Sequence, residues 1–301
     1  MIVSHRTAIL YLFITTSLWA GNAIAGRMFY EELPPFQLAF WRWVLAALLV
    51  LVVMRPPLRQ DWQTIWQHKW ILIAIGTFGI GAYNTLQYIA LQSTTATNVG
   101  LIQTVMPVLV ALFDRIAYRT PITWIQVGGM SCATLGVLVV LAQGDISKLT
   151  SLSINVGDLW MVAAITVYGI FSVMLKAAPK MNQWSYLFVL FVIGAVELLP
   201  FQMAEYMGGA RMVLNEGTLL AMAYIVIGPA FLAYKFYTSA VATLGPNRAG
   251  FFFYWLPIAA AGMAVPLLGE PIASYHLIGF VLVVAGLRFG LAEKKPVESK
   301  A

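Results

Sequence analysis

Three ionic side chains in this sequence interrupt long apolar runs, and little else in it could do ionic chemistry. They are Arg42, Glu197 and Lys235. A charge deep in an apolar segment is costly and marks a functional candidate. Arg42 is a candidate for capturing a substrate carboxylate. Its competing readings are a structural ion pair with Glu197 and a side chain snorkelling to an interface between Trp41 and Trp43. At 1.5 Å per residue, Arg42 and Glu197 both fall about 8–10 Å below one surface of a spanning helix. Lys235 also has a snorkelling reading, and Asp114 and Arg288 fall nearer segment ends, where an interfacial position is expected.

Uncharged polar and aromatic residues form a second set. Gly76, Gly79, Tyr83 and Gln87 recur every three or four residues, which places them on one helix face, flanked by Asn84 and Tyr88. Adding 150 to these positions reaches Val226, Pro229, Ala233 and Tyr237, with Tyr234 opposite Asn84. Trp19, Asn22, Gln103, Tyr168 and Tyr254 are further lining candidates. Amides and hydroxyls beside aromatic rings suit a zwitterion with an apolar side chain; helix–helix hydrogen bonding is the plain alternative. Gln103 and Thr104 precede Pro107, and Phe253, Tyr254 and Trp255 precede Pro257. Proline frees a backbone carbonyl one turn back. Pro107 and Pro257, with Gly100 and Gly250, are therefore candidates for a gate or hinge, against a static kink.

Enzymatic chemistry finds no support. His5, His68 and His276 lie near segment ends, and no acid clusters with them. No G-x-x-x-x-G-K-[ST] loop occurs, so an ATP-driven machine is excluded. Cys132 lies alone in an apolar run and points to packing, not to a disulfide or metal site. No catalytic residue, metal or cofactor is expected.

The elements that must position these residues follow from composition. Of 301 residues, 60% are apolar and 10% charged, and mean hydropathy is +0.81. A soluble domain carries about 25% charged residues, so lipid is the expected solvent. The pI near 9.4 does not indicate nucleic acid, because basic residues stand singly between apolar runs. Ten runs have about the length that crosses a bilayer as a helix: residues 8–27, 36–54, 70–91, 96–116, 123–142, 158–176, 184–203, 218–241, 246–268 and 274–292. The first also has features of a cleavable leader, but it exceeds the usual apolar length, and its loss would leave one repeat a helix short. Trp62, Trp66 and Trp70 read as an interfacial belt. If the N-terminus is cytoplasmic, thirteen Lys and Arg fall inside and three, Arg27, Lys148 and Arg211, outside. That bias places both termini in the cytoplasm.

The chain is also written twice. Residues 87–121 and 237–271 share one layout: Ala90 with Ala240, Gly100 with Gly250, Pro107 with Pro257 and Pro121 with Pro271 all differ by 150. A weaker match at 148 pairs Gly21 with Gly169 and Phe40 with Phe188. Five helices per copy is an odd number, so the copies run oppositely through the membrane. The expected architecture is an all-α membrane protein of ten helices, a five-plus-five inverted repeat (residues 1–145 and 146–301) about a central cavity. Such repeats are a signature of secondary transporters.

The segments TTATNVGLIQTVMPVLVALFDR and LGPNRAGFFFYWLPIAAAGMAVPLLGEPIASYHLIGFVLVVAG resemble the paired EamA repeats of the drug/metabolite transporter superfamily. The pattern Gly250, Pro257, Gly269-Glu270 carries the resemblance; Arg119-Thr120 replaces the Gly-Glu pair in the first copy. Within the superfamily the chain looks most like the aromatic amino acid exporter (YddG-like) branch, through segments such as 22–27 and 83–87. The resemblance implies a bacterial inner-membrane exporter of amino acids, aromatic ones included, with flat cationic toxic compounds as the other substrate class. It implies a basket of helices around one cavity. The chain is expected to act as a monomer by alternating access.

Overall fold

A computed structural model describes residues 3–94, 96–142, 145, 147, 155–268 and 274–290. Gly269, Glu270, Pro271, Lys148, Lys294, Lys295 and Lys300 lie outside the described residues. Every regular element described is helical, with no strand among the described residues. Six helices are long and apolar enough to cross a membrane: His5–Met28, Pro35–Met54, Trp124–Leu141, Val156–Ala177, Gln183–Met207 and Glu216–Leu244. Leucine, valine and isoleucine side chains such as Leu48, Val52, Ile125 and Val196 stay exposed along their flanks. Lipid, not water, is the solvent that such a surface fits.

The first helix, α1 (His5–Met28), starts where the Ser4 hydroxyl accepts the Thr7 N–H at 3.1 Å. α2 (Pro35–Leu49) begins behind Pro34-Pro35, and the Glu205 carboxylate accepts its Phe36 and Gln37 N–H groups. This satisfies donors that no helix can satisfy for itself. α2 runs on as a π turn to Met54 and stops at Arg55 in the left-handed conformation. The short α3 (Leu58–Gln67) has no buried residue. Its Trp62 and Trp66 stack at 6.3 Å, with the Lys69 ammonium 4.0 Å from the Trp66 ring. Trp62, Trp66 and Trp70 are all exposed, which an aromatic belt requires.

Residues 69–93 are helical throughout but change pitch. α4 (Lys69–Gly76) widens into a π segment, Thr77–Ala82, before α5 (Tyr83–Ser93). Half a chain later, α11 (Glu216–Ile225) widens at Val226–Leu232 before α12 (Ala233–Leu244). π segments arise where the regular hydrogen-bond ladder slips by one residue. Gly76, Gly79 and Gly81 supply the first slip. Gly228 and Pro229 supply the second, Pro229 by lacking an N–H.

The two prolines read as hinges each follow a break. α6 (Ala96–Gln103) ends, Thr104 and Val105 turn, and α7 (Met106–Tyr118) resumes with Pro107 in its first turn. Likewise α13 (Pro246–Gly250) passes into a 3₁₀ turn, Phe251–Tyr254, before α14 (Trp255–Leu268). A proline ring collides with the carbonyl four residues back, Gln103 and Phe253 here, so each helix gives way there. The remaining elements are α8 (Trp124–Leu141), α9 (Val156–Met174), α10 (Gln183–Met207) and α15 (Ser274–Gly290).

Packing joins distant parts of the chain. α1 lies along α12, α9 along α5, α10 along α2, and α15 along α8. The last pair touches backbone to backbone. A Cβ on Gly129 would stand 2.8 Å from the Gly286 carbonyl, and one on Gly136 2.8 Å from the Gly279 carbonyl. Glycine is required by this close approach. Gly286→Leu is therefore expected to lower protein stability in detergent by about 1–3 kcal/mol through overpacking. Gly262→Ala, with open space around its Cβ, is expected to leave the thermal midpoint unchanged. Scanning calorimetry or intrinsic-fluorescence melting checks both.

Candidate functional site

Arg42 sits mid-α2 with no solvent exposure. Its Nη1 donates to Asn84 Oδ1 at 2.8 Å, to Tyr88 Oη at 2.8 Å and to Asn22 Oδ1 at 3.2 Å. α1, α2 and α5 are thereby tied at one point. Tyr88 in turn donates to Asn22 Oδ1 at 2.9 Å. Asn84 Nδ2 donates to Tyr234 Oη at 3.1 Å, and Tyr234 passes its own proton to the Gly79 carbonyl at 2.6 Å. That carbonyl belongs to the first π segment, where a widened turn leaves an acceptor open. Its counterpart 150 residues on, the Pro229 carbonyl, accepts the Trp19 indole N–H at 3.1 Å. The two π segments at Thr77–Ala82 and Val226–Leu232 are thus each closed by a side chain from another helix.

Arg42 has no carboxylate partner among the described residues. Glu197 Oε1 instead accepts the Thr77 hydroxyl at 2.5 Å, so the Arg42–Glu197 ion pair of the competing reading is not formed there. The ion pair described there joins Lys176 to Asp114 at 2.5 Å. Asp114 is buried and ties the end of α7 to Lys176, just past the end of α9. Arg42 Nε and Nη2 have no hydrogen-bond partner among the described residues. The guanidinium carbon lies 4.5 Å from the Trp43 ring. Snorkelling is excluded for Arg42, because Trp43 is fully buried beside it while Trp41 alone of the flanking pair is exposed. Lys235 reaches Tyr11 Oη at 3.5 Å and lies over the Tyr11 and Phe236 rings.

Tyr234 is the junction between this polar network and a cluster of rings. Its ring lies 5.2 Å from Trp43 and 5.7 Å from Trp19. Trp19 in turn touches Tyr168, Tyr237 and Phe253 at 5.7, 5.2 and 5.8 Å. Tyr168 meets Tyr83 at 4.5 Å and Phe171 at 5.0 Å. Tyr237 shares a 2.8 Å hydrogen bond with Ser172. Gln103, buried at the end of α6, neighbours the Tyr83 hydroxyl. The rings pack edge-to-face or offset, as their quadrupoles favour.

The structure thus gathers Trp19, Asn22, Arg42, Tyr83, Asn84, Gln103, Tyr168, Tyr234 and Tyr237 around one region. Tyr254 is turned away: its hydroxyl meets Thr134 of α8 at 3.1 Å and its ring faces Phe251. In the 3₁₀ turn the neighbouring Phe253 takes the inward place, which a regular α-helical reading of that turn does not give. Gln87 is buried on α5 without a described contact to the Arg42 network. Gly250 faces Val110 of α7, and Gly100 faces Leu141 of α8. These glycines lie at helix contacts, while the breaks sit at Thr104–Val105 and Phe251–Tyr254. Phe171 and Phe191 were not singled out from sequence. Their only signal was apolarity, which 60% of the chain shares.

A model of the EamA-like transporter family matches residues 6–142 and again 155–290. The chain belongs to that family. It is a multi-pass membrane transporter, not an enzyme. Among relatives of this EamA-like transporter, the Bacillus subtilis protein named uncharacterized transporter YyaM is 27% identical over 84% of this chain and 83% of its own. A Streptantibioticus cattleyicolor protein named as a probable terminal-alkyne amino-acid exporter is 26% identical over 70% and 69%. A Chlamydia trachomatis protein named as an S-adenosylmethionine/S-adenosylhomocysteine transporter is 21% identical over 93% and 88%. One solved structure shares the fold, with a TM-score of 0.73 at 19% identity over 95% of this chain and 96% of that one.

Removing one member of the Arg42 network while keeping the charge is expected to be worse than removing both. Asn84→Leu strips partners from a buried guanidinium and from Tyr234, at a cost of about 2–4 kcal/mol. The double variant Arg42→Met/Asn84→Leu is expected to recover part of that loss. Equilibrium melting in detergent of the two single variants and the double variant measures the coupling.

Proposed function

We propose that this EamA-like transporter is a secondary transporter that exports amino acids, aromatic and other apolar ones among them, across a bacterial inner membrane. The observation that carries the proposal is Arg42: fully buried, unpaired with any acid among the described residues, and joined through Tyr234 to a wall of aromatic rings. A guanidinium fork suits a carboxylate, and the rings suit an apolar side chain. The names of two relatives agree in chemistry, since amino acids and S-adenosylmethionine both carry an α-carboxylate. The substrate range is that of the aromatic amino acid exporter branch. A flat organic cation fits less well, because Arg42 would repel it and Glu197 is turned to Thr77.

Transport proceeds by alternating access between two inverted halves, residues 1–145 and 146–301, of five helices each. Several features support the ten-helix inverted repeat. The family matches twice. The π segments and the proline breaks recur half a chain apart. Packing also exchanges as an inverted two-fold requires: α1 on α12 answers α9 on α5, and α1 on α14 answers α9 on α7. Gly129 against Gly286 answers Gly136 against Gly279. In this reading the breaks before Pro107 and Pro257 are where the halves bend, and both termini face the cytoplasm.

Two experiments test the proposal. Proteoliposomes loaded with unlabelled Phe or Trp are expected to accumulate the labelled amino acid by saturable counterflow; absence of counterflow for every amino acid tested overturns the reading. Arg42→Gln is expected to reduce that flux about 10- to 100-fold, the loss of one charge-assisted contact, while Lys235→Gln retains it. Topology is tested in a Cys132→Ser background. An impermeant maleimide is expected to label Lys180→Cys only in inverted vesicles and Arg211→Cys only in intact cells.

A further inference from the structure

The open hydrogen-bonding groups at the polar end of the site are of one kind. Arg42 Nε, Arg42 Nη2 and Trp43 Nε1 have no partner among the described residues, and all three are donors. Arg42 and Trp43 are both fully buried. The acceptors beside them are engaged. Asn22 Oδ1 receives both Arg42 and Tyr88, which fills its two lone pairs. Asn84 Oδ1 and Tyr88 Oη each receive Arg42. Tyr234 Oη receives Asn84 and is itself spent on the Gly79 carbonyl. The Pro229 carbonyl receives Trp19.

Charge tells the same story. Acidic side chains near membrane depth are committed elsewhere: Glu197 to Thr77, Asp114 to Lys176, and Asp158 to Asn98, Thr94 and Asn155. A guanidinium keeps its charge at any physiological pH. In a low-dielectric interior it attracts a carboxylate and repels an ammonium held one bond further along the same ligand. The site therefore offers a cation and donors to one end of a ligand and rings, with the unpartnered Tyr168 hydroxyl, to the other, and among the described residues no anionic group for an amine.

We propose that the carboxylate and the aromatic ring carry recognition while the α-ammonium contributes little, so that this transporter also carries aromatic monocarboxylates lacking the amine, such as aromatic 2-oxo acids. This rests on the transport reading above but is not limited to amino acids. The polar contacts are those of an aryl-acid site: Arg42 holds the carboxylate side-on, and Trp19, Tyr168 and Tyr234 flank the ring.

The test uses the wild-type protein and three ligands with one ring: phenylalanine, phenylpyruvate and phenylalanine amide. Binding is read by thermal stabilisation in detergent, and transport by homologous counterflow of each labelled compound in proteoliposomes. Phenylpyruvate is expected to stabilise the protein at concentrations within about threefold of phenylalanine, and phenylalanine amide to be at least about tenfold weaker, the loss of the charge-assisted contact. Counterflow of phenylpyruvate but not of the amide supports the inference. Phenylalanine counterflow without phenylpyruvate counterflow overturns it and leaves amino acid export standing. Phenylpyruvate counterflow without phenylalanine counterflow supports it and overturns the amino acid reading. Flux of none of the three overturns both. Arg42→Gln, its melting transition confirming that it is folded, is expected to lose phenylpyruvate stabilisation; retention of that stabilisation also overturns the assignment.

Discussion

A buried positive charge with no counter-ion among the described residues is the constraint around which this structure is arranged. An isolated ion in a low-dielectric interior is paid for only by hydrogen bonds and polarisable neighbours. Arg42 meets that demand with two asparagines, a tyrosine and an indole face. Those partners come from two other helices and, in Trp43, from its own. The network therefore fixes how α1, α2 and α5 meet, and through Tyr234 it reaches α12 as well. A carboxylate partner would have neutralised the charge and ended the site's usefulness for an anion. Neutral partners hold the side chain in place and leave its field intact.

Backbone chemistry supplies the second layer. A widened helical turn exposes carbonyls that lipid cannot satisfy. At Gly79 and Pro229 these carbonyls are met by Tyr234 and Trp19, which are also walls of the ring cluster. Any movement of the cluster must exchange those hydrogen bonds. The irregular segments and the ring cluster are therefore one mechanical unit. The helix breaks before Pro107 and Pro257 lie on other helices that border the same region through Gln103 and Phe253.

Much of the site was legible because membrane chemistry leaves few choices. A polar side chain in an apolar run needs a reason, so Asn22, Arg42, Asn84 and Gln103 stood out. The face containing Gly79 and Tyr83 followed from helical spacing. Reading failed where local geometry departs from the α-helix. Phe253 and Tyr254 exchange roles because the turn that carries them is 3₁₀, rotating each residue by more than an α-helix would. Trp43 looked like an interfacial anchor because it neighbours Trp41, yet adjacent helical residues face directions about 100° apart. One faces outward and the other lies in the core.

From the sequence alone came the solvent, the helical class, the half-chain duplication and the identity of the costly polar groups. These depend on composition and spacing, which act locally and survive any rearrangement of the helices. Which polar group bonds which could be decided only by the tertiary structure. Arg42 and Glu197 sit at similar depth on packed helices, and sequence offered them to each other. Their directions around the helix axes, set by how α2 and α10 pack, send Arg42 to Asn22, Asn84 and Tyr88 and Glu197 to Thr77. That choice turns a structural ion pair into a site with an unspent positive charge.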